Sequence, residues 1–281
     1  MSTWDDVDRA LAAAPGIASA WVGPVGGPPA YARLADATHY AASTMKVGVL
    51  LALHRSGLDL DAPVTVHNRH RSAVGGWYAN DPAEDADDET WTRLDGGTAS
   101  LRWLARRMIV RSGNLATNLC LAAVGVPAVR EVWRLAGARH SVTARGIEDA
   151  AARAAGVDNL VTAADLAALF GAVVRGAAGP GGIADPAACR EVLALLEANE
   201  HRDDLAAGLP PGTRIAHKNG WVTGVRHGAG TVFPDDAPPY TVVVCTSTGL
   251  ADDAACALVA AVSAAAWRER RASRGAGRAG R

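Results

Sequence analysis

The chain has 281 residues, 49% of them hydrophobic and 20% charged, with a formal net charge of −1. That length suffices for one large domain or two intertwined lobes around a substantial core. A charge this close to zero gives no electrostatic reason to bind nucleic acid or an anionic membrane, and neither partner is expected.

The start, MSTWDDVDRALAAAPG, has no basic head and no unbroken apolar core. As given it is not a signal peptide, so the expected location is the cytoplasm, or outside the cell if a leader once preceded it. Residues 3–14 pattern as an amphipathic helix. IASAWVG and AYARLA read as two strands, and PVGGPP between them reads as a turn. The apolar run from Met45 to Leu53 has the length and composition of a buried helix. Residues 66–98 are polar around RSAVGGWYANDPAEDADDE, an excursion of the length that tends to be functional or mobile. Trp77 and Tyr78 within it are expected as an aromatic rim at a cleft entrance.

SLRWLARRMIV, NLATNLCLAAV and VPAVREVWRLAG then pattern as three helices with short breaks, and TAADLAALFGAVVRG and PAACREVLALLEANE as two more. After Pro211 the texture changes. TRIAHKNG, VRHGAGTVF and YTVVVCTST have strand character. An Ala-rich helix over 250–270 follows, and the basic, glycine-rich tail 271–281 reads as disordered. Strands at both ends of a chain can form one antiparallel sheet. The expected architecture is therefore an α/β lobe from about 1–42 and 212–270, an inserted helical lobe over 43–211, and a cleft between them. No run approaches the roughly 18 apolar residues of a membrane span. The four cysteines have neither zinc nor disulfide spacing and read as buried thiols. His67 and His70 in HNRH have no evident third ligand, so no metal or other cofactor is expected.

Only two of the 28 basic residues are lysines, Lys46 and Lys218. Lysine differs from arginine where chemistry needs a compact ammonium that can lose its proton. Lys46 follows Ser43 by three positions, which puts both on one helix face. A desolvated lysine could accept the serine proton; an N-capping serine beside a snorkelling lysine is the other reading. Lys218 precedes Asn219 and Gly220 at a strand end, where glycine lets a ligand approach the backbone. Between them, in MIVRSGNLATNLC, Ser112 and Asn114 supply a hydroxyl and an amide where one helix breaks and another starts.

The order S-x-x-K, S-x-N, K-x-G resembles the signature of class A β-lactamases and penicillin-binding proteins. YAASTMK is similar to that family's nucleophile helix, MIVRSGNLATNL to its second motif, GLPPGTRIAHKNG to the approach to its third, and NLVTAADLAAL to the segment after its Ω-loop. The likeness runs over about residues 15–270. It implies a β-lactamase/transpeptidase-like α/β (α+β) fold: a five-stranded antiparallel sheet flanked by helices, plus an all-helical lobe. It implies a serine hydrolase that opens a β-lactam or related amide or ester, a small-molecule partner, and a monomer or weak oligomer. By the same resemblance Ser43 attacks the carbonyl and Lys46 is its base, directly or through a water. Ser112 relays a proton to the leaving nitrogen, Asn114 holds the substrate's amide side chain, and Lys218 supports the charge near Ser112 and a substrate carboxylate. The N–H groups of Ser43 and Trp221 form the oxyanion hole.

The chain departs from that pattern in three places. Gly113 stands where the second motif has an acid. Asn219 stands where the third has a hydroxyl that would contact a substrate carboxylate; Arg226, on the next strand, could supply that contact or be a solvated strand arginine. The Ω-loop pattern is not matched, but Glu148 and Asp149 fall near the right distance before Thr162. Either could activate the deacylating water or form a salt bridge. Without such an acid the enzyme would acylate and release slowly, like a penicillin-binding protein or an esterase.

Overall fold

A computed structural model describes residues 3–180 and 182–271. The expected tail, apart from Arg271, lies outside the described residues. Strands β1 (Gly16–Pro24), β2 (Tyr31–Arg33), β3 (Arg214–Val222), β4 (Val225–Phe233) and β5 (Tyr240–Thr248) form one five-stranded sheet in the order β2-β1-β5-β4-β3. Every neighbouring pair is antiparallel. The N-terminal strand pairs with the last one along its whole length, from Gly16 opposite Thr248 to Pro24 opposite Tyr240. That pairing ties the two ends of the chain together and leaves β3 as an open edge.

Helices cover both faces of the sheet, which is why β4 and β5 are buried almost end to end instead of alternating. On one face Ala18, Ala20, Val242 and Val244 pack with Val7 and Leu11 of α1 (Thr3–Ala13) and Val259 and Val262 of α8 (Asp252–Glu269). On the other, Ala216, Ala229, Val243 and Cys245 join the core of the helical lobe. The centre of that lobe is α2 (Lys46–Arg55), whose residues 46–53 are all buried. A helix apolar all round has to be enclosed, and α3 (Leu101–Val110), α4 (Asn114–Ala136) and α7 (Pro186–Glu197) enclose it.

Local signals set the boundaries. Ser100 caps α3 through the Trp103 N–H, and Thr162 caps α6 (Ala163–Ala178) through the Asp165 N–H. α4 ends at Gly137, at φ 81°, where only glycine is unstrained. The second and third of the expected helices are the two halves of α4. Its backbone leaves the helical region at Gly125 (φ 76°, ψ 152°), two residues before Pro127, which cannot donate to the helix ladder. Among the described residues α4 alone has the length and apolarity of a membrane span, and half of that stretch is buried in the lobe.

The polar excursion 66–98 is not loose. Residues 63–65 pair with 98–100, and His70–Arg71 with Trp77–Tyr78. It lies against the segment 145–149. Ser72 Oγ and the Ala73 N–H reach Asp149, Asn80 and Asn118 bind the Ile147 carbonyl, and the Asp81 N–H reaches Glu148. Trp77 and Tyr78 do not line the cleft. Trp77 is exposed between the guanidinium groups of Arg69 and Arg71. The Tyr78 hydroxyl instead lies against Gly146.

Candidate active site

A cleft of about 1110 Å³ runs between the β3 edge and the helical lobe, and Ser43, Ser112, Asn114, Glu148 and Trp221 all line it. Three short segments meet there. Ser43 sits in a single 3-10 turn, Ala42–Met45, that runs directly into α2 and so places Lys46 just inside. Ser112 lies in the break between α3 and α4, with Asn114 as the first residue of α4. Lys218 is on β3. Five described non-glycine residues have left-handed φ, and Ala42 (44°), Ser112 (59°) and Glu148 (66°) are three of them. Strain that persists is held by its surroundings, and it concentrates where geometry matters to function.

Both lysines are completely buried and converge on Ser112. Lys46 Nζ donates to the Ser112 carbonyl and, at 2.9 Å, to Asn114 Oδ1, with Ser112 Oγ at 3.4 Å. Lys218 Nζ donates to Ser112 Oγ and to the Asn219 carbonyl, each at 3.0 Å. Burial lowers Lys46 to about 7, against the opposing pull of Asp85, Glu148 and Asp87. Burial also takes Lys218 well below its ordinary value, and the Lys46 charge pushes the same way. A neutral amine is therefore accessible near pH 7, held by Ser112 and Asn114; the described residues show no hydrogen bond from it to the Ser43 hydroxyl.

The β3 edge faces the serine turn. A Cβ at Gly220 would meet the Ser43 nitrogen at 3.0 Å, Thr44 nitrogen at 3.1 Å and Ala41 oxygen at 3.2 Å, so this approach needs glycine. Trp221 pairs with Arg226 across β3–β4. The Arg226 N–H and carbonyl both turn to the Thr246 hydroxyl on the far side. The pair is thus the non-hydrogen-bonded kind, and the Trp221 N–H points out of the open edge, toward the cleft.

Glu148 reaches the site through an amide. Its Oε1 accepts from Asn114 Nδ2 at 3.1 Å, and Asn114 Oδ1 accepts from Lys46. Its Oε2 accepts the Asp81 N–H at 2.6 Å. It forms no salt bridge among the described residues. The Arg145–Asp158 ion pair, 2.7 Å with the arginine 2% exposed, closes the loop that carries it. Asp149 also lines the cleft, but it caps α5 (Ala150–Ala154) and binds Ser72 and Ala73, so both its oxygens are engaged.

Two residues expected at the substrate are placed otherwise. The Asn219 side chain is buried, donating to Asp204 and accepting from Asn199 Nδ2 at 2.7 Å. It does not line the cleft and so is not presented to a substrate carboxylate. Arg226 lines the cleft but is surrounded by acids, with Asp203 at 2.6 Å and Asp204 and Asp252 each at 3.3 Å. Its charge is already matched, because Asp203 and Asp204 arrive from the loop before β3 and Asp252 opens α8. Asp203, Asp252 and Cys256 are the one group of described side chains close enough to share a metal ion. The Arg226 guanidinium beside them opposes a cation.

Residue-level reading of the sequence did not pick out Asp85, Asp87, Arg145 or Asn118. Asp85 receives the Asn114 and Leu115 N–H groups at 2.8 and 3.0 Å and so seats the head of α4. Asn118, one turn after Asn114, exchanges hydrogen bonds with the Ile147 backbone. The i, i+4 pairing of two asparagines in NLATN was the available signal. Nothing local marked the two acids, which are among six in residues 81–89.

A family model described as the beta-lactamase enzyme family matches residues 2–269. The fold is shared with several solved structures. One is a beta-lactamase from Sphaerobacter thermophilus (24% identity, 95% of this chain and 97% of that one, TM-score 0.77). Another is PBP-A (20%, 95% and 94%, 0.78). A third is an ancestral class A beta-lactamase, of the last common ancestor of Gram-negative bacteria (22%, 95% and 99%, 0.76). Comparison with curated proteins gives no match.

Proposed function

Because this chain belongs to the beta-lactamase enzyme family, we propose that it is a serine hydrolase that opens β-lactams, or a related strained amide or ester, through an acyl-enzyme on Ser43. The reading rests above all on one observation: both lysines of the chain, fully buried, converge on Ser112, which lines the same cleft as Ser43.

In the first half-reaction Ser43 Oγ bonds to the carbonyl carbon as its proton passes to neutral Lys46. The carbonyl electron pair moves onto oxygen, where the N–H groups of Ser43 and Trp221 receive it; one such donor is worth about 3 kcal/mol in the transition state. The C–N bond then breaks, and the nitrogen takes a proton from Ser112, replenished from the lysine pair. In the second half-reaction Glu148 takes a proton from a water that attacks the ester carbonyl; the C–O bond to Ser43 then breaks, and that proton passes to the Ser43 oxygen, returning Glu148 to its carboxylate. Asn114 couples the halves, since its amide bonds Lys46 on one side and Glu148 on the other.

A second reading is stoichiometric acylation with slow release, as in a penicillin-binding protein. The placement of Asn219 and Arg226 favours it, since neither offers a free anchor to a penam carboxylate. A PBP-A variant is itself described as an acyl-enzyme complex with penicillin G. A chromogenic cephalosporin followed by intact-mass spectrometry separates the readings. Multiple turnovers with an adduct lost in Ser43→Ala support hydrolysis. A persistent single adduct supports the second reading. No adduct with any β-lactam or activated ester refutes both.

A further inference from the structure

The second motif lacks its acid at Gly113, yet a carboxylate occupies the space that a side chain there would fill. A Cβ built on Gly113 would lie 2.9 Å from Asp87 Cβ and 3.1 Å from Asp87 Oδ2. Asp87 comes from the 66–98 segment and is completely buried. Its Oδ1 accepts from Arg107 Nε at 2.8 Å and from Arg107 Nη2, and its Oδ2 accepts from the Thr90 hydroxyl. Burial alone would push this carboxyl up, but the Arg107 and Thr90 hydrogen bonds outweigh it and hold the group below its usual range.

The contacts close into a ring around the turn 111–114. The Asp87 N–H donates to Asp85 Oδ1 at 3.1 Å, and that same oxygen accepts the Asn114 N–H at 2.8 Å. Arg107, which grips Asp87 through its side chain, accepts the Gly113 N–H on its backbone carbonyl at 3.1 Å. Ser112, at φ 59°, is the residue inside this ring. A left-handed serine needs neighbours that over-determine it.

We propose that Asp87 is the acid of the second motif, delivered from a separate segment of the chain, and that it acts as a positioning residue for Ser112 and Asn114. Gly113 is then the necessary partner of Asp87, because any side chain at 113 would displace the carboxylate. The assignment rests on the reading of Ser112 and Asn114 as working groups of the hydrolase.

An exchange of the two residues tests it. Asp87→Gly, Gly113→Asp and the double variant are compared for the rate of Ser43 acylation by a chromogenic cephalosporin and for melting temperature. Each single variant is expected to acylate at least tenfold more slowly than the parent. The double variant, which returns the acid to the motif itself, is expected within about threefold of the parent and to melt above both singles. A double variant no faster than Asp87→Gly overturns the proposal, as does Asp87→Gly acylating at the parental rate. If Asp87→Gly does not fold, Asp87→Asn keeps the volume and removes the charge; it must also lose at least tenfold, and a parental rate overturns the proposal. Should the parent itself not be acylated, the hydrolase reading fails first. The melting temperatures then still decide the pairing: non-additive effects support it and additive ones overturn it.

Discussion

Arginine serves nearly every basic position in this chain, and the two exceptions are buried side by side at one serine hydroxyl. The distinction is protonic. A guanidinium cannot act as a base at neutral pH, whereas a desolvated ammonium can. Lys46→Arg is therefore expected to slow Ser43 acylation by a factor of about 10³ or more, within the range that general-base catalysis supplies. Stopped-flow or mass-spectrometric acylation rates read this directly. In the parent the rate should rise with pH through about 7, because the neutral amine, favoured by burial of Lys46, is the reactive form. A flat profile between pH 6 and 8 would exclude Lys46 as the base. Glu148→Gln keeps the side-chain volume and one of the two accepted hydrogen bonds, but it turns the other oxygen into a donor and removes the base for water. It should leave acylation within about tenfold and slow release by roughly 10²–10⁴, seen as an acyl-enzyme that accumulates on intact-mass analysis. Ser43, Lys46 and Lys218 could be singled out from sequence because lysine scarcity is visible there. The surroundings of Asn219 and Arg226 could not, since they depend on Asp203 and Asp204 folding back from a neighbouring loop.

Two irregular elements, more than any helix, govern the site. The 66–98 segment reads as an open polar loop because its polar groups find their partners far away in sequence. Asn80 and Asn118 share the Ile147 backbone, and Asp149 holds Ser72 and Ala73. Its task is to fix the loop that carries Glu148. Gly146 is where the two segments touch: a Cβ there would lie 1.9 Å from the Tyr78 hydroxyl and 2.8 Å from Asn118 Oδ1. Gly146→Ala cannot be accommodated without moving Tyr78. It should cost about 1–3 kcal/mol as an overpacking change, measured by denaturant unfolding. It should also raise acyl-enzyme lifetime, whereas Tyr78→Phe in the same background should restore part of both. The Gly220–Ser43 approach is the second close contact, and it was readable as far as a glycine after a strand lysine suggests a nearby backbone. Which backbone approaches was not readable.

On the scale of the whole molecule, one sheet joins the first and last thirds of the chain, and buried histidines line its seams. His39 bridges Ser19 and Ser247 at 2.8 and 2.9 Å, and His227 contacts the Tyr40 carbonyl at 2.8 Å. Burial lowers His39 and His227 to about 4 and His217 to about 3. These groups are neutral when folded but take up protons near 6.5 when unfolded. Their contribution is thus complete above about pH 6.5 and is lost as pH falls toward 4, at up to about 1.4 kcal/mol per pH unit for each histidine. Denaturant melts between pH 7 and 4.5 should show stability falling steeply below 6.5; His39→Gln should flatten that slope, and an unchanged slope would show that His39 does not contribute to it. Composition, strand and helix patterning, the order of the three motifs and the scarcity of lysine determined the fold class and the core of the site, because each is written in local spacing. Tertiary structure decided which acid reaches Asn114, why position 113 is glycine and how Arg226 is neutralised. Those outcomes depend on carboxylates brought in by segments distant in sequence, and side-chain charge is paired in space, not along the chain.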